Sequence, residues 1–292
     1  MKSRLKGTAA LFITTVIWGS AFIAQSVGMD YIGPFTFQAV RCVMAVLFLL
    51  PLSFVLERDK TTFFRKWADG KLWKAGLPAG IALFMAGGLQ QVGLIYTTAS
   101  KAGFLNAMYI VLVPVLGLFL KKKPPATAWF SVAIAVFGLY LLSGAGVSEI
   151  NIGDLLVIAC AFWFAVQITI VDALGHEVDG VKLNCVQSFV CAVLSAAVMA
   201  FTEEVSLSSI LECMVPLLYA GVLSMGVAYT LQIIGQQALE PTQASIIMSL
   251  ESVFALIFGW LLLHERLSSL ELAGCGLMFA AVILSQLPNP KR

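Results

Sequence analysis

Charge is scarce in this chain. Asp, Glu, Lys and Arg make up 12% of its 292 residues, about half of the roughly 25% that soluble domains carry. Too few polar side chains exist to clothe a soluble core. Histidine occurs only twice, as His176 and His264, so multi-His metal sites and Ser–His catalysis lack parts. The six cysteines show no CxxC spacing, which argues against a redox pair or a zinc knot. His264-Glu265 opens a zincin-like pattern, but Ser268 stands where the second His would be. No P-loop occurs, and Gly274-Cys275-Gly276 runs on to Phe279 instead of completing a dinucleotide fingerprint. Intrinsic ATP-driven pumping is thereby excluded. A net charge of +2, with basic residues gathered in loops, forms no nucleic-acid stripe. The residues therefore imply no enzyme activity, no catalytic set, no metal site, no cofactor and no nucleic-acid partner.

Apolar length is what the chain has in excess. Hydrophobic residues reach 60% and the mean hydropathy is +0.93. Runs of about 18–23 apolar residues cross roughly 30 Å of hydrocarbon. Ten such runs are legible, at 8–27, 34–56, 75–95, 102–120, 127–143, 153–171, 184–202, 214–235, 242–263 and 269–286. The fold expected is all-α integral membrane with ten transmembrane helices. The first run is too long for a signal peptide and contains Trp18, so it reads as a span. The 57–74 segment, with Phe63, Phe64, Trp67 and Trp73 among basic residues, reads as a chain lying at the lipid interface. With the amino terminus inside, fifteen Lys and Arg fall on inner segments, two on outer loops, and Arg41 within a span. This bias predicts a multi-pass protein of the cell (inner) membrane with both termini cytoplasmic.

The two halves repeat each other. Leu89-Gln90-Gln91-Val92-Gly93 and Gly117-Leu118-Phe119-Leu120 in the first match Leu231-Gln232-Ile233-Ile234-Gly235 and Gly259-Trp260-Leu261-Leu262 in the second. Leu141-Leu142-Ser143 likewise matches Ile283-Leu284-Ser285. The division expected is 1–147 and 148–292, each a five-helix repeat. A five-span repeat in tandem inserts its second copy upside down, and inverted halves meeting at the midplane are a transporter architecture. The halves are expected to rock about that midplane. Gly76-xxx-Gly80 predicts close helix approach, and Gly87-Gly88 and Gly144/Gly146 predict hinges or turns.

Several motifs carry a resemblance. Trp18-Gly19-Ser20, Arg41 with the apolar run after it, Pro114-Val115, Ser249-Leu250-Glu251-Ser252-Val253-Phe254-Ala255 and Gly259 through Ser268 together resemble the drug/metabolite transporter superfamily, EamA branch. The last stretch is similar to that family's Leu-Glu-Pro-Val-Phe-Ala and its terminal Gly-Glu-x-Leu. Ser252 replaces the usual Pro and His264 the usual Gly. The resemblance covers essentially the whole chain. It implies export or exchange of small metabolites, often amino acids or amines, without ATP hydrolysis.

Polar residues inside spans mark where a substrate could bind. Glu251 lies about 14 Å above the inner boundary, and Arg41 about 10 Å below the outer one, hence about 20 Å above the inner boundary of a roughly 30 Å core. The gap of about 6 Å between these depths is one an extended Arg could cover. Arg41 could clamp a carboxylate, snorkel, or pair with Glu251. Trp18 and Gln25 in the first span correspond to Trp163 and Gln167 in the sixth. Tyr229 and Gln232 share one helix face, Asn106 and Tyr109 another, and Gln90 or Gln91 leads to Tyr96. The expected substrate-binding set is Trp18, Gln25, Arg41, Gln91, Tyr96, Asn106, Trp163, Gln167, Tyr229, Gln232 and Glu251. The bland alternative for each amide is an interhelical hydrogen bond. The function expected is a secondary transporter exporting a small metabolite by alternating access, its partners a small-molecule substrate and the lipid bilayer. The alternatives are a facilitative or importing carrier, or a non-transporting membrane sensor.

Overall fold

The computed structural model describes residues 2–57, 59–122, 124–142, 151–263 and 268–287, and every regular element among them is helical. The first half contains α1 (Lys2–Gly28), α2 (Pro34–Leu56), the short α3 (Phe63–Trp67), α4 (Gly70–Leu94), α5 (Ala99–Asn106), α6 (Tyr109–Phe119) and α7 (Ala126–Leu142). The second contains α8 (Ile152–Leu174), α9 (Gly180–Thr202), α10 (Leu207–Glu212), α11 (Met214–Leu218), α12 (Tyr229–Gln236), α13 (Pro241–Met248), α14 (Glu251–Leu263) and α15 (Ser269–Gln286). A π-helix, Tyr219–Ala228, joins α11 to α12. Taken as continuous spans, nine of these stretches are long and apolar enough to cross a membrane. The tenth, α7, has 17 residues and rises about 26 Å, the short end of what suffices. The fold is all-α and integral to the membrane, with ten crossing helices.

Helix starts follow from local chemistry. Asn151 and Ser268 form capping boxes with Asp154 and Glu271, and Thr98 and Asp179 cap α5 and α9. Pro34 and Pro241 open α2 and α13, where a missing N–H costs nothing. Gly87 and Gly88 lie inside an uninterrupted α4, so neither makes the turn expected there. Gly87 instead gives room to Gln38 and Gly88 to Phe35. Gly144, Gly146 and the His264–Arg266 motif lie outside the described residues.

The principal packing runs between the halves. α4 packs on α8 and α9, α2 on α9, α7 on α15, and α1 between α12, α14 and the π-helix. Gly76 and Gly80 bring α4 against Val186 and Val190 of α9, and a Cβ on Gly80 would fall 2.6 Å from that of Val190. This is the close approach that a small-xxx-small pattern permits.

Polar contacts collect at the two ends of the bundle. At one end Glu57 accepts from Lys66 at 2.7 Å and from Lys182 at 2.8 Å, while Lys71 pairs with Glu177 and Lys122 with Asp172. Bonds from Lys182 and Lys66 hold the Glu57 carboxyl down at about 2. Phe63 of the 57–74 segment meets Phe54, Phe64 and Trp67 edge to face, while Phe64 itself is exposed. At the other end Lys101 reaches Asp154 at 2.6 Å. There Glu203 accepts from the backbone N–H groups of Phe35 and Thr36 at 2.8 and 2.7 Å.

Candidate functional site

Two spans break near their middles at corresponding places. α5 gives way to α6 at Ala107–Met108, and α13 to α14 at Ser249–Leu250. At both places the backbone tightens to i→i−3 bonds, such as Met108 N–H to Leu105 O and Leu250 N–H to Ile247 O. Ser249 and Ser252 hydroxyls bond back to the carbonyls of Ile246 and Ser249, so hydroxyls serve where the family pattern has a proline. Pro114, further along, leaves α6 unbroken. α5 packs on α14 and α6 on α13. The breaks therefore face each other and place Tyr109 and Glu251 at the first positions of the second half-helices.

Those residues line one cavity between the halves, walled by α1, α2, α4, α8, the π-helix and α12 as well. Its free volume is about 20 Å³, room for one or two water molecules. Glu251 is buried and its Oε1 accepts from Asn106 Nδ2 at 2.9 Å, while Asn106 Oδ1 accepts from the Cys160 thiol at 3.4 Å. Tyr109 stands beside the same carboxylate, its buried hydroxyl lacking a well-formed hydrogen bond. Trp18 and Tyr229 rings meet across the wall with centroids 4.8 Å apart.

Arg41 and Glu251 share the cavity but form no ion pair among the described residues. The guanidinium is turned to neutral amides instead, donating from Nη1 to Gln25 Oε1 at 2.5 Å and from Nη2 to Gln38 Oε1 at 3.0 Å. Gln90 Nε2 donates to the same Gln25 oxygen at 3.4 Å. This fork satisfies two of the three guanidinium nitrogens and leaves Nε buried without a partner.

A second chain of amides leads away from the cavity. Gln232 donates to Gln167 at 3.0 Å, Gln167 to Gln187 at 3.1 Å, and Gln187 to Asn184 at 2.9 Å. Asn184 Nδ2 faces Met225 O, Gly226 O and Thr230 Oγ1 at 2.8, 3.1 and 2.9 Å. It thereby meets two carbonyls of the π-helix, a geometry that recurs at functional sites.

Of the expected residues, Trp18, Gln25, Arg41, Asn106, Tyr229, Gln232 and Glu251 come together on this cavity. Gln91, Tyr96, Trp163 and Gln167 are not on its wall. Adjacent helical residues point about 100° apart, and that rotation puts Gln90 on the wall while Gln91 turns toward Met29. Phe164 takes the place expected for Trp163, which is half-buried against Phe162. Gln167 sits behind Gln232, and Tyr96 is 54% exposed at a turn. Phe22, Ile168 and Ser224 line the cavity unforeseen. Tyr109 had a readable signal: Tyr109 and Glu251 are separated by the same interval as Gln90 and Gln232, or Gly117 and Gly259.

The family described as EamA-like transporter matches residues 5–144 and again 151–287. This chain belongs to the EamA-like transporter family. An uncharacterized transporter of Archaeoglobus fulgidus is 34% identical over 288 residues, covering 97% of this chain and 87% of that one. The threonine/homoserine exporter RhtA of Escherichia coli is 24% identical over 275 residues, covering 93% and 88%. A solved crystal structure superposes with a TM-score of 0.75 at 15% identity, covering 96% of each chain, which shows the fold alone. The protein is thus a multi-pass membrane transporter of the drug/metabolite superfamily, and its family implies a small-molecule substrate.

Proposed function

We propose that this EamA-like transporter exports a small metabolite across the inner membrane by alternating access, with both termini cytoplasmic. One observation carries the reading: a buried cavity between two spans broken at corresponding positions, holding Arg41 and Glu251, which form no ion pair among the described residues. Interrupted helices at matching places in two repeats point to a transport site. Isolated intramembrane charges are costly and mark function. A free volume of about 20 Å³ is too small to enclose an amino acid, so in this reading the cavity enlarges toward one side and then the other. The division into repeats at 1–147 and 148–292 fits the two separate family matches. Trp18, Gln25, Arg41, Asn106, Tyr229, Gln232 and Glu251 form the substrate wall. Amide groups and ring faces there suit a zwitterionic or heterocyclic compound, and the name of RhtA favours amino acids as the first class to try.

The test is counterflow in proteoliposomes preloaded with pooled amino acids, amines and nucleoside-type metabolites. Accumulation of one labelled class, abolished in Glu251→Gln, supports the reading. No counterflow with any pool, from protein shown to be folded, overturns it. An outward-directed gradient dependence in oriented vesicles separates export from import.

A further inference from the structure

We propose that the Glu251 end of the cavity binds a water-sized monovalent cation, a primary ammonium headgroup or an alkali ion, and rejects bulky quaternary ammonium. The inference rests on the transport reading above and assigns a chemistry to one end of that site. Three observations carry it.

The first is charge. Among the described residues Glu251 is the one carboxylate on the cavity wall, and no Lys, Arg or His pairs with it. Asn106 supplies its one well-formed hydrogen bond. Arg41, the only basic residue on the wall among the described residues, is held toward Gln25 and Gln38. Once ionised, a carboxylate so placed needs a mobile counter-charge.

The second is spare acceptors. Gln232 Oε1 is buried and unpartnered, and the lone pairs of the Tyr109 hydroxyl are unclaimed, while the unpartnered donors of the same wall are Trp18 Nε1 and Arg41 Nε. Tyr109 is only 2% exposed and Gln232 1%. With the carboxylate, these oxygens give the cavity the several acceptors that an –NH₃⁺ group, with three donors, requires. The same oxygens serve as ligands for an alkali ion. Beside them lie the paired rings of Trp18 and Tyr229, with no cation over either face among the described residues. Among the described residues the cations found over rings are Arg41, Lys60 and Lys182, over Phe37, Phe54 and Phe63. Ring faces add attraction for a desolvated cation.

The third is size. The free volume of about 20 Å³ accepts a particle the size of water. A primary ammonium or alkali ion fits without moving the wall, whereas a tetramethylated nitrogen does not.

Purified protein is titrated with methylammonium chloride, NaCl, KCl and tetramethylammonium chloride, read by tryptophan fluorescence and thermal unfolding. General salt effects cancel by comparison with Glu251→Gln. A saturable signal with methylammonium is expected, absent with tetramethylammonium and weakened about tenfold or more in Glu251→Gln, the scale of one charge-assisted hydrogen bond. The fluorescence part should vanish in Trp18→Phe while the thermal shift persists. Tyr109→Phe should weaken binding as well, and it carries the comparison should Glu251→Gln not fold. Glu251-dependent saturation by Na⁺ or K⁺ alone identifies the cation as a coupling ion; by methylammonium alone, as the substrate's amine. Equal response to tetramethylammonium, or no Glu251-dependent saturation by any of the four, overturns the proposal. Successful metabolite counterflow alongside that negative result would leave the transport reading standing without this subsite.

Discussion

Replacing Asn184 by Ala tests whether α9 holds the π-helix that forms part of the cavity wall. Asn184 is fully buried, and its Nδ2 faces the carbonyls of Met225 and Gly226 and the Thr230 hydroxyl. An amide nitrogen carries two hydrogens, so two of these contacts are made at once. A further bond comes from Gln187 Nε2 to Asn184 Oδ1. Interhelical hydrogen bonds in membranes average about 0.6 kcal/mol; the Gln187 bond lies within α9, so the two that cross to the neighbouring helix give about 1 kcal/mol. The assay is reversible unfolding in mixed micelles by titration with SDS, followed by fluorescence. Asn184→Ala should lower the unfolding free energy by about 1 kcal/mol. A double-mutant cycle with Thr230→Val should return a coupling of about 0.6 kcal/mol. An unchanged unfolding midpoint in Asn184→Ala would refute the reasoning, because the two carbonyls would then be satisfied within the π-helix itself.

Four further outcomes are expected. Trp18→Ala should lose most transport while Trp18→Phe retains more, and Trp163→Ala should behave as wild type, since Phe164 holds the wall position; parallel flux assays decide it. Arg41→Lys should raise the substrate KM, because a point charge cannot bridge Gln25 and Gln38 as the guanidinium fork does. Glu57 titrates near 2 when folded against an ordinary 4.5, so its stabilising share is complete above pH 4.5 and lost as pH falls toward 2; Glu57→Gln should flatten that part of the stability–pH curve. Impermeant thiol labels on single cysteines at Lys60 and Ser268, in a background stripped of the native cysteines, should react from the cytoplasmic and external sides respectively, as the charge bias requires.

Much of this architecture was legible because the bilayer imposes it. Spans must be helical and about 20 residues long, so ten apolar runs yield ten crossing helices. Glu251 and Arg41 were legible for the same reason, being ionisable groups where water is absent. The breaks at Ala107–Met108 and Ser249–Leu250 were not, since neither contains Gly or Pro; each is a tightened turn, and hydroxyls of Ser249 and Ser252 bond to carbonyls at the second. The π-helix was equally hidden, because its residues Tyr219–Ala228 read as ordinary apolar helix. Which neighbour faces the cavity, Gln90 or Gln91, Phe164 or Trp163, depends on helix rotation. Rotation is set by tertiary packing, and an apolar lipid-facing surface leaves little amphipathic signal from which to read it.

The contacts between the halves also constrain how such a cavity can enlarge. Rocking of two intact five-helix halves, the simplest expectation for an inverted repeat, requires an interface between them that slides or opens. Here the interface is where the strongest ties lie. α2 is held to α9 at both ends, by Lys182 on Glu57 at one and by Glu203 on the amino terminus of α2 at the other. Between them, Gln38 donates to the Cys191 sulfur at 3.4 Å. The side chains of Glu57 and Lys182 are 6% and 3% exposed, so parting them would strand buried charge, a large penalty. α2 and α9 therefore move together or not at all, although they belong to different repeats. The spans with weaker internal continuity are the fourth and ninth, each already divided beside the cavity, and the eighth with its π-helix. Motion confined to these could widen the cavity and leave the α2–α9 strut intact. A disulfide or short cross-link between α2 and α9 should then be compatible with transport, whereas one joining α5 to α14 across the facing breaks should arrest it.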